Sequence, residues 1–294
     1  MTLRPATVDA LAGVDPAYVE DLVVRAVEED LAGGVDVTSH ATVPAGLRGV
    51  AAFVPRQPGV VAGLGAALAV LDVVLGEELE VLSLARDGAA AVPGTAVLEV
   101  AGPVRLLLTA ERTALNLLCH LSGIATLTRA WVDAVDGTGA RIRDTRKTTP
   151  GLRALEKAAV RAGGGVNHRM SLSDAALVKD NHVVAAGGVA AAFAAVRREF
   201  PGVPVEVECD TVHQVHEVLE AGAELVLLDN LGPDLLRECV ALCRPRGVRT
   251  EASGGLALAN AREVAETGVD FLAVGALTHS APVLDLGLDL RADT

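Results

Sequence analysis

The rhythm of hydrophobic and polar positions changes near residue 140 of this chain. Ahead of that point helical and strand-like periods are mixed. Asp15-Pro16 opens an amphipathic helix whose period carries to about Glu29. Gly49 to Val54 reads as a strand that stops before Pro55 and Pro58, and the Ala/Leu/Val run from Leu64 to Leu75 predicts a helix. Two more strands, Leu79 to Leu84 and Ala96 to Val100, flank a turn at Val92-Pro93-Gly94-Thr95. A long helix follows from about Thr109 through Trp131.

Beyond residue 140 short apolar strands alternate with helical stretches, the pattern of βα units around a parallel sheet or barrel. The strands are Arg141 to Arg143, Ala176 to Val178, Val203 to Val207, Leu225 to Leu228, Val248 to Thr250 and Phe271 to Val274. They number six, or seven if a short one precedes Asn167. A doubly wound open sheet is the alternative, but the Gly-x-Gly-x-x-Gly turn of a dinucleotide fold is missing after the first strand. An incomplete α/β barrel is therefore expected.

Composition narrows the field. At 294 residues, 51% hydrophobic and 21% charged, the chain can build a sizeable core, and with 2% aromatics that core must rest on Val, Leu and Ala. A net charge of −13 repels phosphate backbones and anionic lipid, so neither nucleic acid nor membrane is an expected partner. Met1 to Asp15 lack a basic start and an apolar core, so no secretory leader is expected. The longest uncharged apolar run, Pro58 to Leu71, is too short to span a bilayer. Cys119, Cys209, Cys239 and Cys243 are too few and scattered for a disulfide framework, and a reducing cytoplasm fits them. Cys239 and Cys243 could form half a metal site, but no nearby pair completes it, and ordinary buried thiols are the preferred reading.

The chemistry gathers at strand ends. Asp144-Thr145-Arg146-Lys147 follows the first barrel strand and Lys179-Asp180-Asn181-His182 the second, while Glu208 ends the third and Asp229-Asn230 the fourth. Glu251-Ala252-Ser253-Gly254-Gly255 follows the fifth and Gly275-Ala276-Leu277-Thr278-His279 the sixth. In a parallel barrel these ends share one rim, where ligands bind. Between Arg141 and His182 there are nine Lys/Arg against four acids, a basic window in an acidic chain. Arg153, Lys157 and Arg161 fit a solvated helix face after Thr149-Pro150. Arg146, Lys147, His168 and Arg169 sit in turns and Lys179 ends an apolar strand, positions that suit anion binding. Strict alternation in Val203 to Glu208 points Glu206 and Glu208 into the barrel, Glu206 deep enough to pair with a lysine such as Lys179, and Glu208 at the rim with Asp229. The turns at Ser253-Gly254-Gly255 and Gly275-Ala276 could hold phosphate on backbone N–H groups, although tight turns need glycine in any case. Gly163-Gly164-Gly165 is equally well a helix cap, and His120 and His216 read as structural.

Taken together these segments resemble the quinolinate phosphoribosyltransferases. The resemblance rests on Glu111-Arg112-Thr113-Ala114-Leu115-Asn116, on Asp144 through Arg153, on Gly164-Gly165-Val166-Asn167-His168-Arg169 and on Lys179 through His182. It continues through Glu206-Val207-Glu208, Leu228-Asp229-Asn230, Glu251 through Gly255 and Gly275 through Ser280, and reaches back to Glu29-Asp30 and Asp36 through Ser39. It implies an N-terminal α/β sandwich, residues 1–115 joined by about 281–294, packed on an incomplete barrel formed by 116–280. It also implies transfer of phosphoribosyl from phosphoribosyl pyrophosphate to quinolinate, releasing nicotinate mononucleotide, pyrophosphate and carbon dioxide on the route to NAD.

By the same resemblance Arg146, His168, Arg169 and Lys179 would face the two carboxylates, with Lys147 near the pyrophosphate and Thr145 a further substrate-binding residue. Arg112 would reach in from a neighbouring subunit, making a homodimer the minimal active unit. Glu208 and Asp229 would hold ribose hydroxyls and favour an oxocarbenium-like transition state. Ser253, Gly254, Gly255, Gly275, Ala276, Leu277 and His279 would surround the 5′-phosphate. Lys147, Lys179, Glu208 and Asp229 carry the catalytic expectation, and Mg2+ is expected on the donor's pyrophosphate rather than in a protein cage.

Three other readings compete. A related phosphoribosyltransferase acting on nicotinate or another ring would meet one carboxylate fewer and need fewer cations. A barrel aldolase would use Lys179 as a Schiff-base amine. A non-catalytic anion-binding barrel would be expected to have lost a site residue.

Overall fold

Asp15 and Pro16 start the first long helix in the way their chemistry dictates. In the computed structural model, which describes residues 3–292, Pro16 takes the first helical position and Asp15 accepts a hydrogen bond from the Ala17 N–H at 3.0 Å. The helix runs Pro16–Leu31 and buries Val19 and Val23. The Leu64–Leu75 helix is buried along nearly its whole length, and its Gly63 and Leu64 N–H groups donate to Asp87. The helix expected from Thr109 through Trp131 is longer than its sequence period suggested, spanning Val104–Ala134.

Twelve strands run in chain order among the described residues: β1 (Arg48–Pro55), β2 (Gly59–Val60), β3 (Glu80–Leu84), β4 (Ala90–Ala91), β5 (Leu98–Pro103), β6 (Arg141–Arg143), β7 (Ala176–Val178), β8 (Val205–Cys209), β9 (Leu225–Asp229), β10 (Arg249–Ser253), β11 (Phe271–Ala273) and β12 (Leu286–Ala292). They fall into two compact units. The first unit runs to Arg129, takes in Thr148–Gly164 and resumes at Ser280. Its main sheet is antiparallel in the order β12-β1-β5-β3, with a short β2-β4 pair beside it. The C-terminal strand β12 pairs with β1 from Gly49↔Ala292 to Pro55↔Leu286.

The second unit, Ala130–Lys147 and Gly165–His279, holds the six parallel strands in the order β6-β11-β10-β9-β8-β7. β6 and β7 end that order without pairing to each other, so the barrel is incomplete. The seventh strand considered before Asn167 amounts to a single bridge, Arg143↔Val166. The third barrel strand begins at Val205, two residues later than expected: Pro204 has no N–H to give the ladder, and only its carbonyl is used, by the Ala176 N–H at 2.8 Å. β10 extends further than expected, to Ser253, with its charged Glu251 wholly buried.

The expected boundary at 115/116 is corrected by these units. It falls inside the continuous Val104–Ala134 helix, and the segment Thr148–Gly164 belongs to the first unit. That segment carries a second correction. Its helix Arg153–Ala162 was expected to be a solvated basic face, yet Lys157 and Glu156 are both 0% exposed. Glu156 is held by His120 Nε2 at 2.9 Å and by the Thr149 N–H at 3.1 Å, so the helix turns a charged side inward because partners wait there.

Candidate active site

The strand ends of the second unit converge on a cavity of about 710 Å3. Each βα unit sends one short segment to it. From the end of β6 come Thr145, Arg146 and Lys147. Lys147 is fixed at its backbone, where the N–H donates to Thr145 Oγ1 at 3.0 Å and the carbonyl accepts from Thr278 Oγ1 at 2.9 Å. The next segment supplies His168 and Arg169, backed by the fully buried Asp144, which accepts from the His168 N–H at 2.7 Å and the Asn167 amide at 2.6 Å. Lys179 follows β7, Glu208 lies on β8, and Asp229 and Asn230 close β9. Ser253, Gly254 and Gly255 follow on from β10, and Gly275, Ala276 and His279 follow β11.

Cations and carboxylates share the lining, with Arg146, Lys147, Arg169 and Lys179 set against Glu208, Asp229 and Glu251. Arg169 is partly enclosed beside Arg146, and burial, then the neighbouring guanidinium, pull its pKa below the usual arginine value. Its Nη1 donates to the Ala175 carbonyl at 2.8 Å, while its buried Nε has no hydrogen-bond partner. A buried donor left open in a cationic wall is a place for an anion's oxygen. Lys179 Nζ donates to Glu208 Oε2 at 2.8 Å, so the lysine expected to neutralise Glu206 is engaged at the rim instead. Glu206 is paired with His168 Nε2 at 2.6 Å. The alternation had correctly placed it inside the barrel; the partner differs because Glu208, two residues further on, stands nearer the rim.

Close approach requires glycine at 254 and leaves little room at 275. A Cβ on Gly254, whose φ is +82°, would fall 2.1 Å from Asn230 Oδ1. A Cβ on Gly275 would sit 3.0 Å from Lys147 Cδ and 3.3 Å from His279 Nε2. Bare backbone is thus exposed where a phosphate is expected.

Two expected site residues are placed elsewhere. Leu277 is fully buried and does not line the cavity, because its side chain turns into the core while its neighbours Ala276 and His279 face the opening. Arg112 is exposed on the Val104–Ala134 helix, in the first unit, and is not among the lining residues. The remaining fourteen, from Thr145 to His279, line one cavity.

Sequence reading did not foresee the cavity floor. Arg143 Nη1 lies 2.5 Å from Glu251 Oε2, and Glu251 both lines the cavity and is wholly enclosed. Period-two alternation in Arg249-Thr250-Glu251-Ala252-Ser253 carried the signal, since it puts Glu251 on the same face as Ser253. Burial, with Glu206 close by, pushes the Glu251 carboxyl up to about 8 against the opposing pull of Arg143. Cys209, Cys239 and Cys243 are buried and free, and desolvation raises their thiols to about 12, 11 and 11. At neutral pH they are inert as nucleophiles, as the reading of ordinary buried thiols expects.

Known proteins resemble the chain over most of its length. Residues 36–122 match the family model for the quinolinate phosphoribosyl transferase N-terminal domain, and residues 124–289 match that for the C-terminal domain. A nicotinate-nucleotide pyrophosphorylase [carboxylating] of Mycobacterium leprae is 55% identical over 276 residues, which cover 92% of this chain and 96% of the relative. A probable nicotinate-nucleotide pyrophosphorylase [carboxylating] of Synechocystis is 44% identical over 246 residues, 83% of each chain. The solved nicotinate-nucleotide pyrophosphorylase of Francisella tularensis superposes with a TM-score of 0.91 at 34% identity, covering 96% of this chain and 99% of its own. With both domain models matched in order across most of its length, the chain belongs to the quinolinate phosphoribosyltransferase family.

Proposed function

We infer that the chain transfers the phosphoribosyl group of phosphoribosyl pyrophosphate to quinolinate with loss of carbon dioxide, giving nicotinate mononucleotide and pyrophosphate for de novo NAD synthesis. The names of its relatives support the reaction, and the cationic wall supports the substrate. The observation that carries it is the Arg146, Lys147, Arg169 and Lys179 cluster on one cavity, with the Arg169 Nε still lacking an acceptor. A pyridine dicarboxylate brings two anionic groups to that wall, one more than nicotinate.

The residues divide by charge. Arg146, Arg169 and Lys179 take the carboxylates and Lys147 the pyrophosphate. His168 contributes to the wall as a neutral ring, because its Nδ1 accepts from the Arg169 N–H at 2.7 Å and its Nε2 meets Glu206. Glu208 and Asp229 face the ribose, where carboxylates favour positive charge developing at C1′. The Ser253-Gly254-Gly255 and Gly275-Ala276 backbone receives the 5′-phosphate. Magnesium enters with the donor, riding on its pyrophosphate as part of the substrate.

The ring nitrogen attacks C1′ with its lone pair and has no proton to lose, so no general base is needed. The C1′–oxygen bond to pyrophosphate breaks and pyrophosphate leaves with that electron pair. The resulting pyridinium then accepts the electrons left when the adjacent carboxylate departs as carbon dioxide, and a proton replaces it on the ring. The cavity's work is positioning and charge.

Arg112, exposed on its helix, is assigned to a partner's site in a homodimer. Among the described residues no helix is long and apolar enough to cross a membrane, and the free cysteines favour a reducing, cytoplasmic setting. The test is to mix protein, quinolinate, phosphoribosyl pyrophosphate and magnesium and to measure nicotinate mononucleotide, with nicotinate as competitor. Turnover of nicotinate without turnover of quinolinate overturns the reading. Arg146→Ala or Lys179→Ala is expected to lower kcat/KM by at least about a hundredfold at unchanged circular dichroism, and near-normal turnover in either removes that residue from the site.

A further inference from the structure

Below the cationic wall of the second unit, ionisable side chains from separate segments meet with little exposure. Arg143 Nη1 is 2.5 Å from Glu251 Oε2 and 3.8 Å from Glu206 Oε1. Glu206 Oε2 is 2.6 Å from His168 Nε2, which is itself 3.8 Å from Glu251 Oε1. Glu206 and Glu251 are 4% and 0% exposed, and on each of them Oε1 has no hydrogen-bond partner. Asp144 adds a third buried carboxylate at the end of β6, already occupied by Asn167 and the His168 N–H. The register partners of Glu251 on β9 and β11, Leu227 and Phe271, bring no charge.

Two adjacent buried carboxylates lean chiefly on the Arg143 guanidinium, with Arg169 acting on Glu206 from further off, and His168 supplies a hydrogen bond rather than a charge. Its Nδ1 accepts from the Arg169 N–H, so the ring's proton must sit on Nε2 and point at Glu206. The same tautomer argues against a divalent ion among His168, Glu206 and Glu251, although atoms of all three lie within 4.8 Å of one another. An Nε2 that holds a proton has no lone pair for a metal. A proton is the remaining way to relieve two buried, adjacent carboxylates.

We propose that Glu206 and Glu251 hold one proton between them, resident on Glu251 Oε1 and aimed at Glu206 Oε1, and that the pair is a positioning device. Glu206, 2.6 Å from His168 Nε2, fixes the ring in its Nε2–H form, and the His168 Nδ1 then holds the Arg169 backbone against the cavity. Glu251 rather than Glu206 carries the proton because it is the more enclosed and is flanked by carboxylates on two strands. Burial and those neighbours, Glu206 before Asp144, push its carboxyl upward despite Arg143. The functional half of this inference rests on the cavity being the quinolinate site; the protonation half does not.

Two measurements separate the halves. Infrared spectra of the full-length protein at neutral pH are expected to contain the carbonyl stretch of a neutral carboxylic acid. That band should fade as pH rises through about 8 and be missing from Glu251→Gln and from Glu206→Gln, since removing either charge removes the reason for the proton. If no such band titrates in the unaltered protein, the proposal is wrong whatever the enzyme's substrate, and that experiment needs no variant to fold.

Steady-state kinetics with quinolinate then test positioning. Glu251→Ala should raise KM at least about tenfold with a smaller change in kcat. Glu251→Gln, with the shape of the neutral acid, should restore most of that loss and carry the alkaline limb of kcat/KM to higher pH. Equal damage from Ala and Gln, or an alkaline limb that Gln leaves in place, overturns the positioning role.

Discussion

A carboxyl group sealed from water beside a second carboxylate keeps its proton far above the pH at which a surface glutamate releases it. Glu251 is raised from an ordinary 4.5 to about 8 in the folded chain. Below about 4.5 both folded and unfolded chains hold the proton, and the group's contribution to stability is complete. As pH rises the unfolded chain gives up its proton first, so stability drains away until the folded group also titrates near 8. The amount at stake is on the order of a few kcal/mol. Glu251→Gln has no proton to lose. Thermal melts from pH 5 to 9 should show its Tm gaining steadily on that of the unaltered protein, and parallel curves would contradict the buried acid. At this scale the sequence was readable where a residue stood in a turn or at a strand end: Arg146, Lys147, Arg169 and Lys179 all reach the cavity. Partners were less readable. The pairings Lys179–Glu208 and His168–Glu206 depend on how strand registers align depths across β7, β8 and the His168 segment, which no local pattern encodes.

Among the elements, strands with a strong period were legible and weak edges were not. Leu64–Leu75 forms as expected because its apolar residues are contiguous and Gly76 stops it. β8 slid by two residues because Pro204 cannot donate, a detail visible in the sequence but outweighed by the valine alternation. β12 escaped pattern reading altogether: of Leu286–Ala292 only Leu286 is buried, and the strand is defined by pairing with β1, not by a buried face of its own. That dependence is mutual. Ala51 and Phe53 on β1 are 0% exposed, and removing the chain from Leu286 onward would turn β1 into an open, apolar edge. The truncated chain is expected to melt at least about 5 °C lower and to sediment as aggregate in analytical ultracentrifugation. An unchanged melting temperature would show that β12 is dispensable.

For the whole molecule, Arg112 and Lys179 provide a test of assembly. If each active site takes Lys179 from one subunit and Arg112 from its partner, neither Arg112→Ala nor Lys179→Ala alone supports turnover. When the two variants are dissociated and reassociated together, half of the dimers become mixed and each has one intact site. Activity should then return to about one quarter of the unaltered level. An active Arg112→Ala variant would place Arg112 outside the site, and no recovery from two inactive variants would place both residues in one subunit's site.

The strand order also has a temporal meaning. β6, which leads into Arg146 and Lys147, pairs with β11, the last strand of its sheet to leave the ribosome, and Thr278 beyond β11 holds the Lys147 carbonyl. Until Phe271 and its neighbours have been synthesised, β6 has only its bridge to Val166 and the basic turn after it lacks the Thr278 contact that holds Lys147. Closing so long a loop is entropically costly and slow. From Arg143 to Phe271 the nascent chain therefore grows by 128 residues with β6 still an open parallel edge and the anion site unassembled. An unpaired edge of this kind is open to misassociation until β11 arrives.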